Sequence, residues 1–468
     1  MLHDHHRRPT TAGMTAGGGG APGRGPVAPA PATAPVDPVP LAPADDLPAA
    51  PGPPVVPLVS RRRLVGFYVV VLAAGLSLGL TAPLTAVFAV QLGASPFAAS
   101  LSVASLTGVV LVLDVFGTRL LPFLEPRRSI TAGMALWALG SFASAVAPSF
   151  EAMAAARLVQ GLGLALYASA GPQLAIRLVG IGRVGTALGR FQAAMTLGSA
   201  VAPLTGGLLA DITLAGWGAS GGLRLAFAVC GGIALVCSAA ALLLLPTVRP
   251  RVRPRFTLPQ LPGLYRPRPL LALGMAALGQ GARGALAGTV LPLVVSQGMG
   301  LGGTVLGTFL TAMYVVEVVT MAIGGAWSDR RGRRLVVLLG TASGIVGTAV
   351  LFFAEHHDST LLLFAAALPL GLAGGSMLSL LPTVLVDLAG TPEVGLSATR
   401  LSRDLGFTLC TVGAGVAITA AEVPGAVGLV LALFVTVTLI MVVVGETRRH
   451  QRDEAVEPVL DVGGRRRR

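Results

Sequence analysis

The fold is decided by residues 325–334, which read Gly325-Ala-Trp-Ser-Asp329-Arg330-Arg-Gly332-Arg333-Arg334. They join two long apolar runs, Val305–Ala326 and Leu335–Phe353. A run of about 20 apolar residues is long enough to cross a bilayer as a helix. The stretch is therefore predicted to be a tight, charged hairpin between two membrane spans, with glycines that permit a sharp turn. We also expect Asp329 to cap the N-terminus of the following helix, where a negative charge is favoured.

The composition places the chain in a membrane. Of its 468 residues 53% are hydrophobic and 12% are charged, and the mean hydropathy is +0.77. A soluble domain carries roughly 25% charged residues. The net charge of +13 comes from arginine alone, and these arginines cluster between spans and in the tails. Membrane orientation explains that distribution better than binding to nucleic acid. Cys230, Cys237 and Cys410 lie inside apolar runs, which favours packing over disulfides or metal ligation.

Twelve apolar segments have the length of a membrane span. They run roughly over Leu64–Val90, Phe97–Leu120, Ile130–Val146, Ala152–Ile176, Thr186–Ala210, Leu225–Leu245, Leu270–Val295, Val305–Ala326, Leu335–Phe353, Leu361–Leu388, Leu396–Ala420 and Ala426–Val444. The predicted organisation is a disordered Pro-, Ala- and Gly-rich tail over 1–60, a first bundle over 61–246, a basic linker over 247–269, a second bundle over 270–447 and a basic tail over 448–468.

Arginine marks every second loop. It occurs at 119–128, 177–183, 249–268, 330–334 and 448–449, whereas the alternate loops contain none. Loops rich in arginine stay on the cytoplasmic side of a membrane. Both termini are therefore predicted to be cytoplasmic, which requires an even number of spans.

The two bundles repeat one another in sequence. The matching residues, 210 positions apart, are Gly161 and Gly371, Pro172 and Pro382, Gly180 and Gly390, Gly185 and Gly395, and Arg190 and Arg400. Five coincidences in order predict duplicated halves. The predicted fold class is thus an all-α membrane protein with twelve transmembrane helices in two pseudo-symmetric six-helix bundles.

The hairpin at 325–334 resembles the loop signature of the major facilitator superfamily, in which a glycine, an aspartate and paired arginines join consecutive helices. The resemblance extends from Arg61 to about Thr447 and implies a transporter whose two halves rock about a central cavity. It also implies that the hairpin gates this movement, through Gly325, Asp329, Arg330, Gly332, Arg333 and Arg334. A generic positively charged loop is the alternative interpretation.

The fourth span contains Arg157-Leu-Val-Gln160-Gly161-Leu-Gly163. This stretch is similar to a second superfamily signature, and the resemblance implies that Arg157 takes part in proton coupling. An arginine inside a span must face protein or water, because a charge in hydrocarbon is unfavourable. The alternative is an arginine that only ties neighbouring helices together.

The fifth span looks like the antiporter signature of drug-exporting branches of the superfamily. It contains Gly198, Pro203, Gly206 and Gly207, with Ala202 where glycine is usual. The resemblance implies export, with the first four residues as gating positions. Proline and small residues are also common in membrane helices of any function.

The first half should carry its own copy of the charged hairpin. The stretch after the second span keeps Gly117 and the pair Arg127-Arg128, but its acidic residue is displaced to Glu125. We interpret this copy as degenerate. Asp114 is the acid inside a first-half span, and it is a secondary candidate for proton coupling because it lies near the cytoplasmic end.

Two charges lie deep in the second half. Arg283 is 14 residues from Pro269 and Glu317 is 12 residues from Asp329, so their depths are roughly 21 and 18 Å at ~1.5 Å per residue. Their helices are consecutive and antiparallel, so the side chains can meet. Gln280 and Tyr314 lie one helical turn from them. These four side chains are predicted to line the substrate cavity, with Glu317 binding the coupling proton or a cationic substrate. A static bridge between Glu317 and Arg283 is the alternative.

The opening of the eleventh span offers another pair. Arg400 and Asp404 are four residues apart, so they are expected to pair on one helical face.

The function predicted from the sequence is proton-coupled efflux of a small amphipathic compound, as in multidrug antiporters. The predicted partners are the substrate, protons and the bilayer, in a monomer with no cofactor or metal, in a bacterial cytoplasmic membrane. Import of a small nutrient on the same fold is the first alternative. A non-transporting receptor or membrane enzyme is the second, although the sequence contains no nucleophile–base signature, phosphate loop or metal cluster.

Overall fold

The computed structural model describes residues 61–116, 125–179, 184–214, 218–247, 266–388 and 392–447. The predicted tails over 1–60 and 448–468, most of the linker over 247–269 and the Gly117 turn lie outside the described residues. The remainder is helical, and no strand occurs within the ranges given above.

The described residues of the first half form seven α-helices. They are α1 (Arg61–Thr81), α2 (Leu84–Gln91), α3 (Pro96–Phe116), α4 (Pro126–Ala145), α5 (Phe150–Val179), α6 (Val184–Ala210) and α7 (Gly221–Leu244), with a 3₁₀ turn over Gly218–Ser220. Helices α1 and α2 follow each other as one apolar span, Arg62–Gln91. Proline at the start of α2 and α4 is tolerated because the first turn of a helix has no partner for its N–H groups.

The second half begins with α8 (Pro267–Ala285). It continues through a π-helical turn over Leu286–Val290, α9 (Leu291–Leu293) and a second π-helical turn over Val294–Gly298. The remaining helices are α10 (Gly303–Arg331), α11 (Arg333–His356), α12 (Thr360–Leu388) and α13 (Pro392–Val444). The first π turn begins three residues after Arg283, and such turns are frequent at functional sites.

Ten helices in the described ranges are long and apolar enough to cross a membrane. The sequence predicted twelve crossings, and the difference arises at two places. Helix α4 is not among the ten, and α13 is counted once although Ala421 and Glu422 break it with non-helical backbone angles. The number of crossings therefore stays a prediction.

The most extensive contacts between the two halves are those of α3 with α13 and of α6 with α10, and α2 and α3 also meet the region over Leu286–Leu293. Helices α6 and α10 approach so closely that a Cβ atom on Gly207 would collide with the carbonyl oxygen of Gly303, and one on Gly307 with that of Pro203. Small residues permit such close contact between membrane helices. The interface of the halves thus depends on glycine on both helices.

Candidate functional site

A cavity of about 450 Å³ lies between the halves. The residues that line it are Thr107, Val110, Leu164, Tyr167, Ala168, Pro172, Phe191, Gln192 and Met195 from the first half, and Gln280, Arg283, Leu378, Thr399, Arg400, Arg403, Asp404 and Phe407 from the second. These belong to the C-terminal parts of α3, α5 and α8, the N-terminal parts of α6 and α13, and the middle of α12. The cavity therefore lies toward the end of the bundle that adjoins the arginine-rich loops.

Arg283 and Glu317 form a bidentate ion pair at the side of this cavity. The Nε of Arg283 donates to Oε2 of Glu317 at 2.9 Å, and its Nη2 donates to Oε1 at 2.5 Å. The side chain of Glu317 is 3% exposed and that of Arg283 is 25% exposed. A Cβ on Gly374 of α12 would lie 2.5 Å from the carboxylate, so that glycine makes room for it. Both oxygens of Glu317 are therefore satisfied, and the acid lies behind the arginine.

The other two predicted cavity residues have different positions. Gln280 lines the cavity and donates from Nε2 to the carbonyl oxygen of Met377 at 3.1 Å. The ring of Tyr314 lies 5.7 Å from the guanidinium carbon of Arg283, within range of a cation–π contact. Of the four residues proposed from the sequence, Gln280 and Arg283 are among the lining residues, while Tyr314 and Glu317 support Arg283 from behind.

Two further ion pairs border the cavity on α13. Arg400 donates from Nη2 to Oδ1 of Asp114 at 2.9 Å, and its Nε lies 2.6 Å from Oδ2. Arg403 donates from Nε and Nη2 to the two carboxylate oxygens of Asp404 at 2.9 and 3.3 Å. The expected pairing of Arg400 with Asp404 is therefore wrong. Asp404 is bound by its neighbour in the chain, and Arg400 reaches the other half of the molecule instead.

Asp114 has the spacing of an acid in a charged hairpin. It stands three residues before Gly117, as Asp329 stands three residues before Gly332. Glu125 pairs with Arg128 at the start of α4. This spacing makes Asp114 a second candidate for the acid of the first copy, and the degenerate character of that copy stays a prediction.

Arg157 does not line the cavity. It is 2% exposed within the first half, where its Nη1 donates to the amide oxygen of Gln160 at 2.8 Å. The amide nitrogen of Gln160 in turn donates to Ser141 at 2.7 Å. The arginine, the glutamine and the serine therefore connect α4 to α5, which is a helix-tying arrangement.

The charged hairpin at 325–334 turns on a single residue. Helix α10 ends at Arg331, Gly332 has φ +98°, and α11 begins at Arg333. A positive φ of this kind favours glycine. Gly325 has open space around it and Arg330 is exposed, so neither is held by the surrounding helices.

The second helix of the hairpin is capped by Glu446 rather than by Asp329. Glu446 accepts from the backbone N–H groups of Arg333 and Arg334 at 2.9 and 3.1 Å. Asp329 instead accepts from the guanidinium of Arg333 at 2.5 Å, and Asp387 on α12 lies 3.3 Å from the same guanidinium. The expected cap by Asp329 is wrong, because its side chain finds a cation within one helical turn.

The small residues of α6 pack in two directions. Cβ atoms on Gly198 and Gly206 would collide with backbone atoms of α1, whereas one on Gly207 would collide with α10. Next to Pro203, the backbone N–H of Leu204 donates to Oγ1 of Thr311 on α10 at 3.1 Å. This stretch of α6 thus packs against α1 within the first half and against α10 of the second half.

The sequence did not single out Asp211, at the end of α6. Its Oδ1 and Oδ2 accept from the backbone N–H groups of Gly303 and Thr304 at 2.7 and 2.8 Å, so it caps α10 in the other half. A second cavity of about 340 Å³ lies here, bordered by Asp211 and by Ser296. This end of the bundle is opposite the larger cavity.

The Major Facilitator Superfamily model matches the chain over residues 67–406 and 270–460. A crystal structure of the nucleoside transporter NupG is similar, with a TM-score of 0.67 and 13% identity, over 82% of this chain and 98% of that one. A mutant of NupG is similar over the same shares, with 13% identity and a TM-score of 0.65. No curated protein matches the sequence. The structural likeness extends to the fold, and the family match covers most of the chain.

Proposed function

We propose that this chain, which belongs to the major facilitator superfamily, moves a small amphipathic compound through the cavity between its halves by alternating access. The chain is a multi-pass membrane transporter rather than an enzyme. The proposal includes twelve crossings, cytoplasmic termini and a bacterial cytoplasmic membrane. The observation that carries it is the cavity itself, because polar and apolar side chains from both halves converge on it.

The proposed direction is export driven by protons. The support is the α6 stretch around Pro203, which resembles the signature of exporters and packs against α10 where the halves meet. Glu317 is the proposed coupling group. A proton on this carboxylate would break the ion pair that holds Arg283 in its orientation toward the cavity. Protonation of Glu317 and binding of the substrate would then exclude each other, as antiport requires.

The test uses everted membrane vesicles with an acid interior and a panel of lipophilic compounds. We expect some compounds to dissipate the pH gradient in vesicles that contain the protein, and Glu317→Gln to abolish this response at unchanged expression. The matched control is Glu151→Gln, since Glu151 is an exposed acid at the start of α5. A wild-type response in Glu317→Gln would refute coupling through Glu317.

Import is the second candidate, because the similar solved structures are of a transporter whose name includes nucleosides. Labelled nucleosides are therefore added to intact cells that express the protein. Uptake that requires the protein, together with no gradient response from any exported compound, would replace export with import.

A further inference from the structure

We propose that the substrate is an amphipathic organic anion, bound by the guanidinium groups of Arg283, Arg400 and Arg403. This inference rests on the proposed transport through the larger cavity and narrows its substrate class. All three arginines are among the residues that line the cavity. Each is paired with an acid, so the net charge of the three pairs does not indicate the charge of the ligand. The charge preference depends on which partner of each pair faces the cavity.

In all three pairs the arginine is the more exposed partner. The side-chain exposures are 25% against 3% for Arg283 and Glu317, 31% against 19% for Arg400 and Asp114, and 48% against 6% for Arg403 and Asp404. Glu317 and Asp114 are absent from the cavity lining among the described residues, and Asp404 is its single acid there. A ligand entering the cavity therefore meets cations, with the carboxylates behind them.

The pairs leave binding capacity for a ligand. Arg283 and Arg403 each donate from Nε and Nη2 to their own carboxylate, and Arg400 donates to Asp114 from Nη2. None of the three arginines donates from Nη1 to another described residue, so that edge of each planar guanidinium is available. An arginine has five N–H donors in a fixed fork, which suits carboxylate, sulfonate and phosphate groups. The acids fix the orientation of the arginines before a ligand arrives.

A cation would find no comparable site. The carboxylate oxygens of Glu317 and Asp404 are all engaged by guanidinium groups, so a cationic ligand would first have to break an ion pair. Arg283 and Arg403 line the same cavity, so their positive charges repel each other there. An anion between them relieves that repulsion.

The side of the cavity opposite the arginines indicates what the uncharged part of the substrate is. Leu164 and Tyr167 of α5, Phe191 and Met195 of α6, and Val110 of α3 present mainly apolar surface. The rings of Tyr167 and Phe191 have centroids 6.4 Å apart. An apolar or aromatic body fits here, opposite the arginines, so the geometry calls for an anionic head on a hydrophobic body.

Three probes with one apolar body test the charge preference. They are 1-naphthoate, 1-naphthylmethylammonium and 1-naphthamide, titrated into the purified full chain in lipid nanodiscs by calorimetry. We expect naphthoate to bind at least about tenfold more tightly than the ammonium compound, with the amide between them, which corresponds to about 1.4 kcal/mol. Equal affinities, preference for the ammonium compound, or no saturable binding of naphthoate by folded protein would each overturn the proposal.

The paired variant Arg403→Gln with Asp404→Asn removes one cation together with its own acid, so it leaves no unpaired charge. We expect the ratio of naphthoate to naphthamide affinity to fall severalfold, whereas Glu151→Gln keeps the wild-type ratio. The wild-type comparison of the three probes stands even if the variant does not fold. Naphthoate preference without any transport in vesicles would refute the proposed function alone. Transport of the cationic or neutral probe with no preference for the anion would refute the anion site alone.

Discussion

The second half of the molecule pairs its deep charges within itself, whereas the first half does not. Arg283 and Glu317 lie 34 residues apart in the second half and bind each other with two hydrogen bonds. In the first half, buried Arg157 binds the neutral amide of Gln160, and Asp114 extends to Arg400 on α13 of the other half. The two halves thus differ in whether their charged side chains pair within the half or across to the other half. Contacts that cross between halves must break when the halves separate there, and contacts within a half need not.

Two helix caps also differ in whether the contact crosses between the halves or stays within one half. Asp211 and Glu446 each accept two backbone N–H groups, one with each carboxylate oxygen. Asp211 caps α10 across the interface of the halves, while Glu446 caps α11 within the second half. The chemistry of the two caps is alike, so any difference between them in transport arises from location.

The largest effect is expected from Arg283→Gln. It leaves the 3% exposed carboxylate of Glu317 without its cation, and breaking a buried pair in this way costs about 3–5 kcal/mol. Thermal unfolding in nanodiscs should show a marked loss of stability, most of which the double variant Arg283→Gln with Glu317→Gln recovers. Arg157→Met should cost less, because Arg157 has an amide rather than an acid as partner. Equal losses in the two halves would contradict the comparison.

The next effect concerns the close contact between the halves. Gly207→Ala places a methyl group against the backbone of Gly303 and should cost about 1–3 kcal/mol by overpacking. The readout is maleimide labelling of Ser296→Cys in the smaller cavity, since Cys230, Cys237 and Cys410 are buried. Labelling should accelerate in Gly207→Ala. Gly232→Ala is the control, because its side chain would meet open space.

A third prediction compares the acids of the two charged hairpins. Asp114→Asn weakens an ion pair between the halves, by about 1.5–3 kcal/mol for a hydrogen bond to a charged group. It should change the labelling rate of Ser296→Cys, because it alters the balance between conformations. Asp329→Asn weakens a contact inside the second half, where Asp387 still holds Arg333, and should change labelling less. Neither variant should alter naphthamide affinity severalfold, and such a loss would indicate a direct role in binding.

The smallest effect is expected from the two caps. Asp211→Ala and Glu446→Ala should each lower the free energy of unfolding by about 1 kcal/mol, as loss of a helix cap does. Only Asp211→Ala should accelerate labelling of Ser296→Cys. Acceleration by both variants, or by neither, would show that the location of the cap is unimportant.

Much of the candidate site was accessible from the sequence. Arg283 and Glu317 were identified because charges are rare inside apolar runs, and counting along two antiparallel helices gave them similar depths. The partners of the Asp329 and Arg400 side chains are not predicted correctly from the sequence. Each charged side chain had several possible partners of opposite sign, and spacing of four residues favoured the nearest one on the same helix. In the structure Asp329 pairs with Arg333, and Arg400 pairs with Asp114.

By itself, the sequence determined the membrane class of the chain and the turn at Gly332, because hydrophobic run length and backbone freedom are local properties. The repeat of its halves stays a prediction. Only the tertiary structure decided that Asp114 binds Arg400, 286 residues away, that Glu446 caps a helix 113 residues earlier, and that Asp211 caps one 92 residues later. It also decided that Arg283, Arg400 and Arg403 line the cavity while their partners Glu317 and Asp114 do not. The physical reason is that these contacts depend on which helix faces pack together, and an apolar helix in a membrane carries little sequence information about its neighbours.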